Sequence, residues 1–597
     1  MAQENYSTAY YKKRIEKLTV QLKKLENRSK LWIIIRLFSF LSIISILYFT
    51  FPYNLFSTVG IITSTLLFLL FVKKSIENKE QLNYVQQLIE INKNEIKASQ
   101  FDFSGFSKGE KYINPSHPFS YDIDLFGKNG FFQLFNRTVT KNAEELLTHY
   151  LLNGVIDPEK RILSIEELSK NKSWSQNFLA HGKRLENEEN KTSIKKTVFK
   201  SYDFRSWVNA MQFILPVLTI ILTGAFYYDV INFIQFIVIG IILLIPVRQT
   251  LKTTNRLHKE LSNIGPKIKA MKEQFTIFEN ISFESPLLVE YQNELFKNRK
   301  NGKESLAKLS KIVKQAEYRD NILVAILLNF YLAWDFRLLI EMKKWKETYD
   351  YHIETWEDIV YDIETLISGA FFRYNYENQT SAPKLTDNDK KEILIKNIGH
   401  PIIPLDKLVK NDFSLTREQQ FAIITGPNMA GKSTFLRSIG INIMLANAGF
   451  HVMAEEFVFP KMKLYSSMRT SDDLKDETSY FHAELLRLRF IMDAIERGEK
   501  VFIILDEILK GTNSKDKQEG SSLFLQKLNK MHVKGIIATH DLSLTTLPEK
   551  YPSMVNRYFD TEINGDEISF DYTIRDGVAK NMNASFLLRK MGLIDNP

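Results

Sequence analysis

Cysteine is absent from all 597 residues, which excludes disulfides, thiolate zinc sites and cysteine nucleophiles and fits a reducing compartment. A dominant charge is also missing. The 79 Lys and Arg residues are nearly offset by 70 Asp and Glu, and the net +9 permits an anionic partner, nucleic acid or lipid, without requiring one. Bulk composition carries no membrane signal either, because 44% apolar and 25% charged residues are ordinary for a globular protein. Any such signal has to come from local clustering. The length exceeds what one hydrophobic core can serve and suggests about three or four units.

Clustering is what the sequence shows. Leu31 to Phe51 is apolar apart from scattered hydroxyls and Arg36, which lies near enough to an end to snorkel. A second run, Leu55 to Val72, carries no charge, and only Pro52, Tyr53 and Asn54 separate the two, so the chain turns straight back as a helical hairpin. Lys23, Lys24, Arg28 and Lys30 precede it and Lys73, Lys74 and Lys79 follow, which places both ends in the cytoplasm by the positive-inside rule. A similar block from Met211 to Val247 is split by Tyr227, Tyr228 and Asp229. Basic residues flank it as well: Lys195, Lys196, Lys200 and Arg205 before, Arg248 and Lys252 after. A signal peptide is excluded by the late start, the length and the second span that follows. The expected protein is therefore integral to an inner or plasma membrane, with its N-terminus and C-terminal domain in the cytoplasm. Ile322 to Trp334 is shorter and holds Asn329, and reads as a buried helix of a soluble domain.

The expected organisation is a basic amphipathic helix over 1–30, a first transmembrane hairpin over 31–74, a cytoplasmic helical region over 75–208, and a second hairpin over 209–248. A further cytoplasmic helical region follows over 249–374, then a polar linker over 375–391 and a final domain over 392–597. Ile15, Leu18, Leu22 and Leu25 form one apolar stripe in the first helix, fitting either a coiled-coil partner or a helix lying on the membrane surface.

The last domain carries the chemistry. Gly426, Pro427, Asn428, Met429, Ala430, Gly431, Lys432 and Ser433 spell G-x-x-x-x-G-K-S, preceded by the strand-like run Phe421–Thr425 and followed, from Thr434, by a helix-like segment. Strand, glycine loop and helix make a phosphate cradle, because loop N–H groups and the helix N-terminus face the phosphates while Lys432 neutralises their oxygens. ATP and Mg2+ are the implied cofactors, with Ser433 a magnesium ligand. The run Val501 to Glu507 ends in two carboxylates: Asp506 suits the magnesium shell and Glu507 the polarisation of an attacking water. Gly535 to Thr539 reads as another parallel strand, and His540 at its end is placed to sense the γ-phosphate.

GPNMAGKST, then DEILKGTNSKD from Asp506 to Asp516, then ATHD from Ala538 to Asp541 resemble, in this order and spacing, the ATPase domain of the MutS mismatch-repair family. Gly399-His400-Pro401 and Asn411-Asp412 are similar to that family's entry into the domain, and Gly127 to Leu168 resembles its lever helices. Ser479-Tyr480-Phe481 with Glu484 resembles the family's Ser-Thr-Phe signature, although Tyr480 replaces the threonine and Glu477 a glycine. The resemblance implies an α/β P-loop ATPase domain of ABC-like type, preceded by lever-like helices and the two hairpins. It also implies a homodimer in which Ser479 reaches the nucleotide of the partner subunit. No Phe in this chain has Glu two residues later, so the family's mismatch-reading Phe-x-Glu motif is missing. The family's helix-turn-helix tail and an Smr-like nuclease extension are not expected. Two functions follow: an ATP-switched clamp on DNA at the membrane, or an ATP-driven membrane switch acting on a protein partner without DNA.

Overall fold

The structure, a computed structural model, describes residues 6–50, 55–183, 204–297, 302–349, 352–387, 391–469, 480–564 and 567–579. The chain is mostly helical with an α/β region at its C-terminal end. Helix α1 (Tyr6–Phe49) and helix α2 (Leu55–Ser99) pack antiparallel, with Trp32 against Phe71 and Phe40 against Phe68. Helix α1 runs through the boundary expected between residues 30 and 31 as one 44-residue helix. The stripe residues Leu18 and Leu25 are buried in the same cluster as Val85 and Leu88 of α2. Helix α2 packs along the stripe, and Asn78 of α2 donates to the Leu25 carbonyl at 3.0 Å. Farther along, Leu31, Ile34, Phe38, Leu66 and Leu70 are exposed, so among the described residues the apolar ends of both helices have no protein cover.

Helices α3 (Lys141–Asn153), α4 (Pro158–Lys170) and α5 (Lys172–Gly182) follow, each with a side-chain N-cap from Thr140, Asp157 or Asn171. Helix α6 (Trp207–Tyr227) and helix α7 (Phe233–Leu243) form the second apolar pair, and α8 (Ile245–Glu279) continues from α7 through a 46° bend. A capping box fixes the start of α7: Asn232 and Gln235 exchange side-chain and backbone hydrogen bonds. Among the described residues three helices are long and apolar enough to cross a membrane, four if the bent pair counts as one.

Helices α9 (Gly302–Glu317), α10 (Ile322–Leu332), α11 (Trp334–Tyr349) and α12 (Ile353–Asn375) complete the helical part. The expectation that Ile322–Trp334 is buried does not hold, since Ile322 is 73% and Leu327 58% exposed. Helix α12, by contrast, is enclosed along almost its whole length. Gly369 lets it approach the C-terminal region, because a Cβ there would stand 2.7 Å from Phe450 and 2.8 Å from Ile165 of α4. Its Glu364 is fully buried, and one carboxylate oxygen accepts from the Val139 and Thr140 N–H groups and the Thr140 hydroxyl. Burial pushes the Glu364 carboxyl up to about 7 against the pull of those donors.

The segment expected to be a linker contributes an edge strand instead. Strand β1 (Lys384–Thr386) pairs in parallel with β5 (Glu456–Pro460), in a four-stranded sheet of order β1-β5-β2-β3 with β2 (Ile393–Ile398) and β3 (Asn411–Leu415). The second sheet holds β4 (Phe421–Thr425), β6 (Lys463–Ser467), β7 (Val501–Asp506), β8 (Lys534–Ala538), β9 (Met554–Phe559) and, after the hairpin β10 (Glu562–Asn564) and β11 (Glu567–Ser569), β12 (Ile574–Asp576). Its order is β12-β9-β4-β8-β7-β6, parallel except for β12. Strands β4 and β8 are buried at every position, as expected for a parallel sheet covered on both faces.

Candidate functional site

Strand β8 lies between β4 and β7, so three neighbouring parallel strands end together and deliver three short segments to one crevice. After β4 comes Gly426–Gly431, and helix α13 (Lys432–Asn447) begins at its end. The loop needs its glycines. A Cβ on Gly426 would stand 2.6 Å from the Phe559 carbonyl oxygen, and Gly426 and Gly431 have φ of 146° and 100°. Met429 is also left-handed, with φ 68°, and with Asn428 it forms the exposed tip, while Pro427 and Ala430 are buried.

Lys432 is buried and donates to the Gly426 carbonyl at 2.9 Å and the Pro427 carbonyl at 3.0 Å. Its Nζ lies 3.2 Å from His540 Nε2. Burial lowers the Lys432 ammonium from its ordinary range, partly offset by Asp506 and Glu507. Ser433 donates its hydroxyl to Asp506 at 2.6 Å, so the two expected magnesium ligands are already neighbours. Two oxygen donors suit a cation that keeps several waters and takes the rest of its shell from phosphates. Thr434 is exposed beside them.

Glu507 turns out of β7 with φ 52°, a left-handed conformation that costs a non-glycine residue about 1–2 kcal/mol. Its N–H still bonds to the Ala538 carbonyl of β8 at 2.9 Å. The turn leaves Oε1 2.9 Å from His540 Nε2, and that hydrogen bond holds the Glu507 carboxyl down to about 2 despite half-burial. His540 Nε2 cannot donate to Glu507 and accept from Lys432 at once. The ionised carboxylate is the stronger partner, which leaves the ammonium free to engage an anion.

Sequence reasoning grouped Lys432, Ser433, Asp506, Glu507 and His540, and the structure brings all five together. Ser479 and Glu477 lie outside the described residues. Helix α14 (Tyr480–Glu496) follows, and its Glu484 accepts from the Leu509 N–H at 2.5 Å and the Lys510 N–H at 3.0 Å. It thereby fixes the segment after Glu507, a role its place in the signature did not disclose.

A strap from the helical part was missed entirely. Asp122 accepts from the Ser466 hydroxyl at 2.6 Å and the Arg469 N–H at 2.9 Å, and Asp124 pairs with Arg469 and, at 3.0 Å, with Arg437 of α13. Arg487 of α14 donates to the His117 and Pro118 carbonyls at 2.8 and 2.6 Å. Residues 117–124 therefore clamp the glycine-loop helix, the end of β6 and α14 from one side. Asp-Ile-Asp in a helical region resembles any solvated acidic pair, so no local signal marks it.

The family model of MutS domain V matches residues 422–594. The chain is 31% identical over 244 residues to the DNA mismatch repair protein MutS of Thermotoga maritima, which covers 40% of this chain and 29% of that protein. It is 30% identical over 243 residues to the MutS of Thermotoga sp. (strain RQ2), with the same coverage, and 32% over 188 residues to that of Thermotoga petrophila, covering 31% and 24%. The chain thus matches under a third of the length of each of these relatives. The C-terminal residues 422–594 thus match domain V of the MutS family, and the similarity to MutS proteins lies in that part of the chain.

Proposed function

We propose that this chain is a membrane-anchored ATPase that binds ATP with Mg2+ at the crevice of β4, β7 and β8, dimerises through that face, and acts on DNA as an ATP-switched clamp. The observation that carries the ATPase reading is the convergence of the Gly426–Gly431 loop, Lys432, the Ser433–Asp506 pair and the Glu507–His540 pair at neighbouring strand ends. The residues fit the cofactor. A buried ammonium whose hydrogen-bond partners among the described residues are two carbonyls and an imidazole is suited to an anion, and Ser433 with Asp506 suits a hard cation. Bound magnesium would supply charge neutralisation for the phosphates. Lys432 and the loop N–H groups hold the phosphate oxygens. Glu507, held ionised, orients and polarises water, with His540 fixing its direction. Ser479 completes the site of the partner subunit, so ATP tightens the dimer and hydrolysis loosens it.

The DNA part of the proposal rests on the relatives, which are named as mismatch repair proteins. A second reading, an ATP-driven switch acting on a protein partner in the membrane, is favoured by one contact set. Tyr11 of α1 donates to Asn375 at the end of α12, Asn375 donates to Glu95 of α2, and Glu95 pairs with Arg137. The first apolar pair is thereby tied to the last turn of the helix that leads into the C-terminal domain. DNA binding by the detergent-purified chain, with its salt dependence and with and without ATP, decides between them. Binding that ATP modulates and that weakens steeply with salt supports the clamp; no binding at low salt leaves the membrane switch.

A further inference from the structure

Helix α10 is apolar at every position except Asn329, yet among the described residues nothing covers its outer side. Ile322, Ile326, Leu327 and Leu332 are exposed, on a helix whose surroundings would be expected to hide them if it belonged to a water-facing domain. The one polar side chain is turned inward: Asn329 donates to the Ala325 carbonyl at 3.0 Å and accepts from the Asp335 N–H at 2.9 Å, so it presents no unsatisfied group.

What α10 does touch is the second apolar pair. Phe330 packs on Phe236 and over Gly240 of α7, and the Tyr331 hydroxyl lies 3.4 Å from that of Thr223, near the far end of α6. The chain then reverses at Ala333, φ 50°, and Phe336 of α11 packs against Trp207 at the near end of α6. Helix α10 therefore rises along the pair and α11 returns beside its base. Arg319, just before α10, pairs with Asp335 and donates to the Thr254 carbonyl of α8, closing that base with a buried ion pair. The exposed faces of α6 and α7, including Phe213, Val217, Ile220, Ile237 and Ile241, continue into that of α10.

We infer that α10 is a re-entrant half-helix immersed in the same lipid as α6 and α7, with acyl chains covering Ile322, Ile326 and Leu327; this rests on the membrane anchorage proposed above. Its 11 residues rise about 16 Å, roughly half the ~30 Å hydrocarbon layer, so it enters and leaves on one side. The segments that flank it, Arg319 before and α11 after, stay at the base with the basic flanks, and the cytoplasmic placement of the C-terminal domain is unchanged. Such a segment is tolerated in lipid only where its broken backbone is satisfied by protein, which is what Asn329 does for the turn at Asp335.

The absence of cysteine permits a clean test with single-cysteine, full-length variants in vesicles, labelled with a polarity-sensitive fluorophore and quenched by nitroxide-bearing acyl chains or by aqueous iodide. Leu327→Cys probes α10, Ile220→Cys the α6 span, and Leu163→Cys on α4 the aqueous side. Expected is strong lipid quenching and weak iodide quenching at positions 327 and 220, with the reverse at 163. Lipid quenching at 220 with iodide quenching at 327, or with neither quencher reaching 327, overturns the half-helix and leaves the anchorage standing. Iodide quenching at both 220 and 327 overturns both.

Discussion

Glu364→Gln isolates a buried carboxyl whose ordinary value is raised to about 7. In the folded chain burial raises it to about 7 from 4.5, so the native state favours the protonated form and the unfolded chain the ionised form. The stability this group confers is complete below pH 4.5 and is lost as pH rises through 7. At 1.36 kcal/mol per unit, a displacement of this size corresponds to about 3 kcal/mol between the two limits. Glutamine keeps an oxygen for the Val139 and Thr140 donors and cannot ionise. Its NH2 group, however, falls where Oε1, which carries the parent's proton, has no hydrogen-bond partner among the described residues, and it adds one more unpaired hydrogen there, a cost of about 1 kcal/mol. The variant is thus expected to be less stable than the parent at pH 5, and comparable or more stable at pH 8.5. The difference between the two proteins should move by about 2.5 kcal/mol over that range, which for a chain of this length is about 2 degrees in melting temperature. Thermal unfolding in detergent at matched pH values measures it, and hydrogen exchange at Val139 and Thr140 localises it. A difference that stays constant from pH 5 to 8.5 refutes the reasoning.

Lys432→Ala should abolish nucleotide binding or hydrolysis, read by ATP turnover and fluorescent nucleotide titration; activity equal to the parent's removes the site assignment. Glu507→Gln should bind ATP while turning it over about 10²–10⁴-fold more slowly, and failure to bind ATP would indicate a structural role instead. On that background ATP should hold the dimer, and adding Ser479→Ala should weaken it in light scattering without loss of nucleotide binding by the monomer; equal dimerisation counts against a shared site. Carbonate extraction should leave the chain in the membrane pellet, and its release contradicts anchorage.

The crevice was legible because its signals are local: a glycine loop between strand and helix, two acids ending one apolar run, a histidine ending another. Sheet order, which the sequence does not state, turned three separated segments into one site. The strap at Asp122 and Asp124 was illegible for the opposite reason, since its partners lie more than 300 positions away and its residues are unremarkable in context. Apolar runs revealed helices but not their limits. Nothing in Ser29, Lys30 or Leu31 stops a helix, so α1 passes from a charged to an apolar stretch without a break. The length of α10 misleads: a run too short to span reads as covered by protein, although depth in a bilayer requires no full crossing. The 375–391 segment reads as a linker from its polarity, and its three-residue strand is held by its partner β5 rather than by any propensity of its own.

The unbroken course of α1 and α2 has a consequence for how two copies meet. Each helix is about 66 Å long at 1.5 Å per residue, more than twice the ~30 Å apolar layer, so with the exposed apolar ends in a bilayer the remainder stands out as a stiff paired mast. A body bolted to that mast through Tyr11, Asn375 and Glu95 does not tumble as it would on a flexible tether. Encounter between two such bodies is then a search over an area rather than a volume, with tilt constrained and only rotation about the membrane normal free. Pairing of the ATP-binding faces would accordingly depend on the number of copies per unit of membrane, and would respond to crowding in the sheet of lipid more than to concentration in the cell.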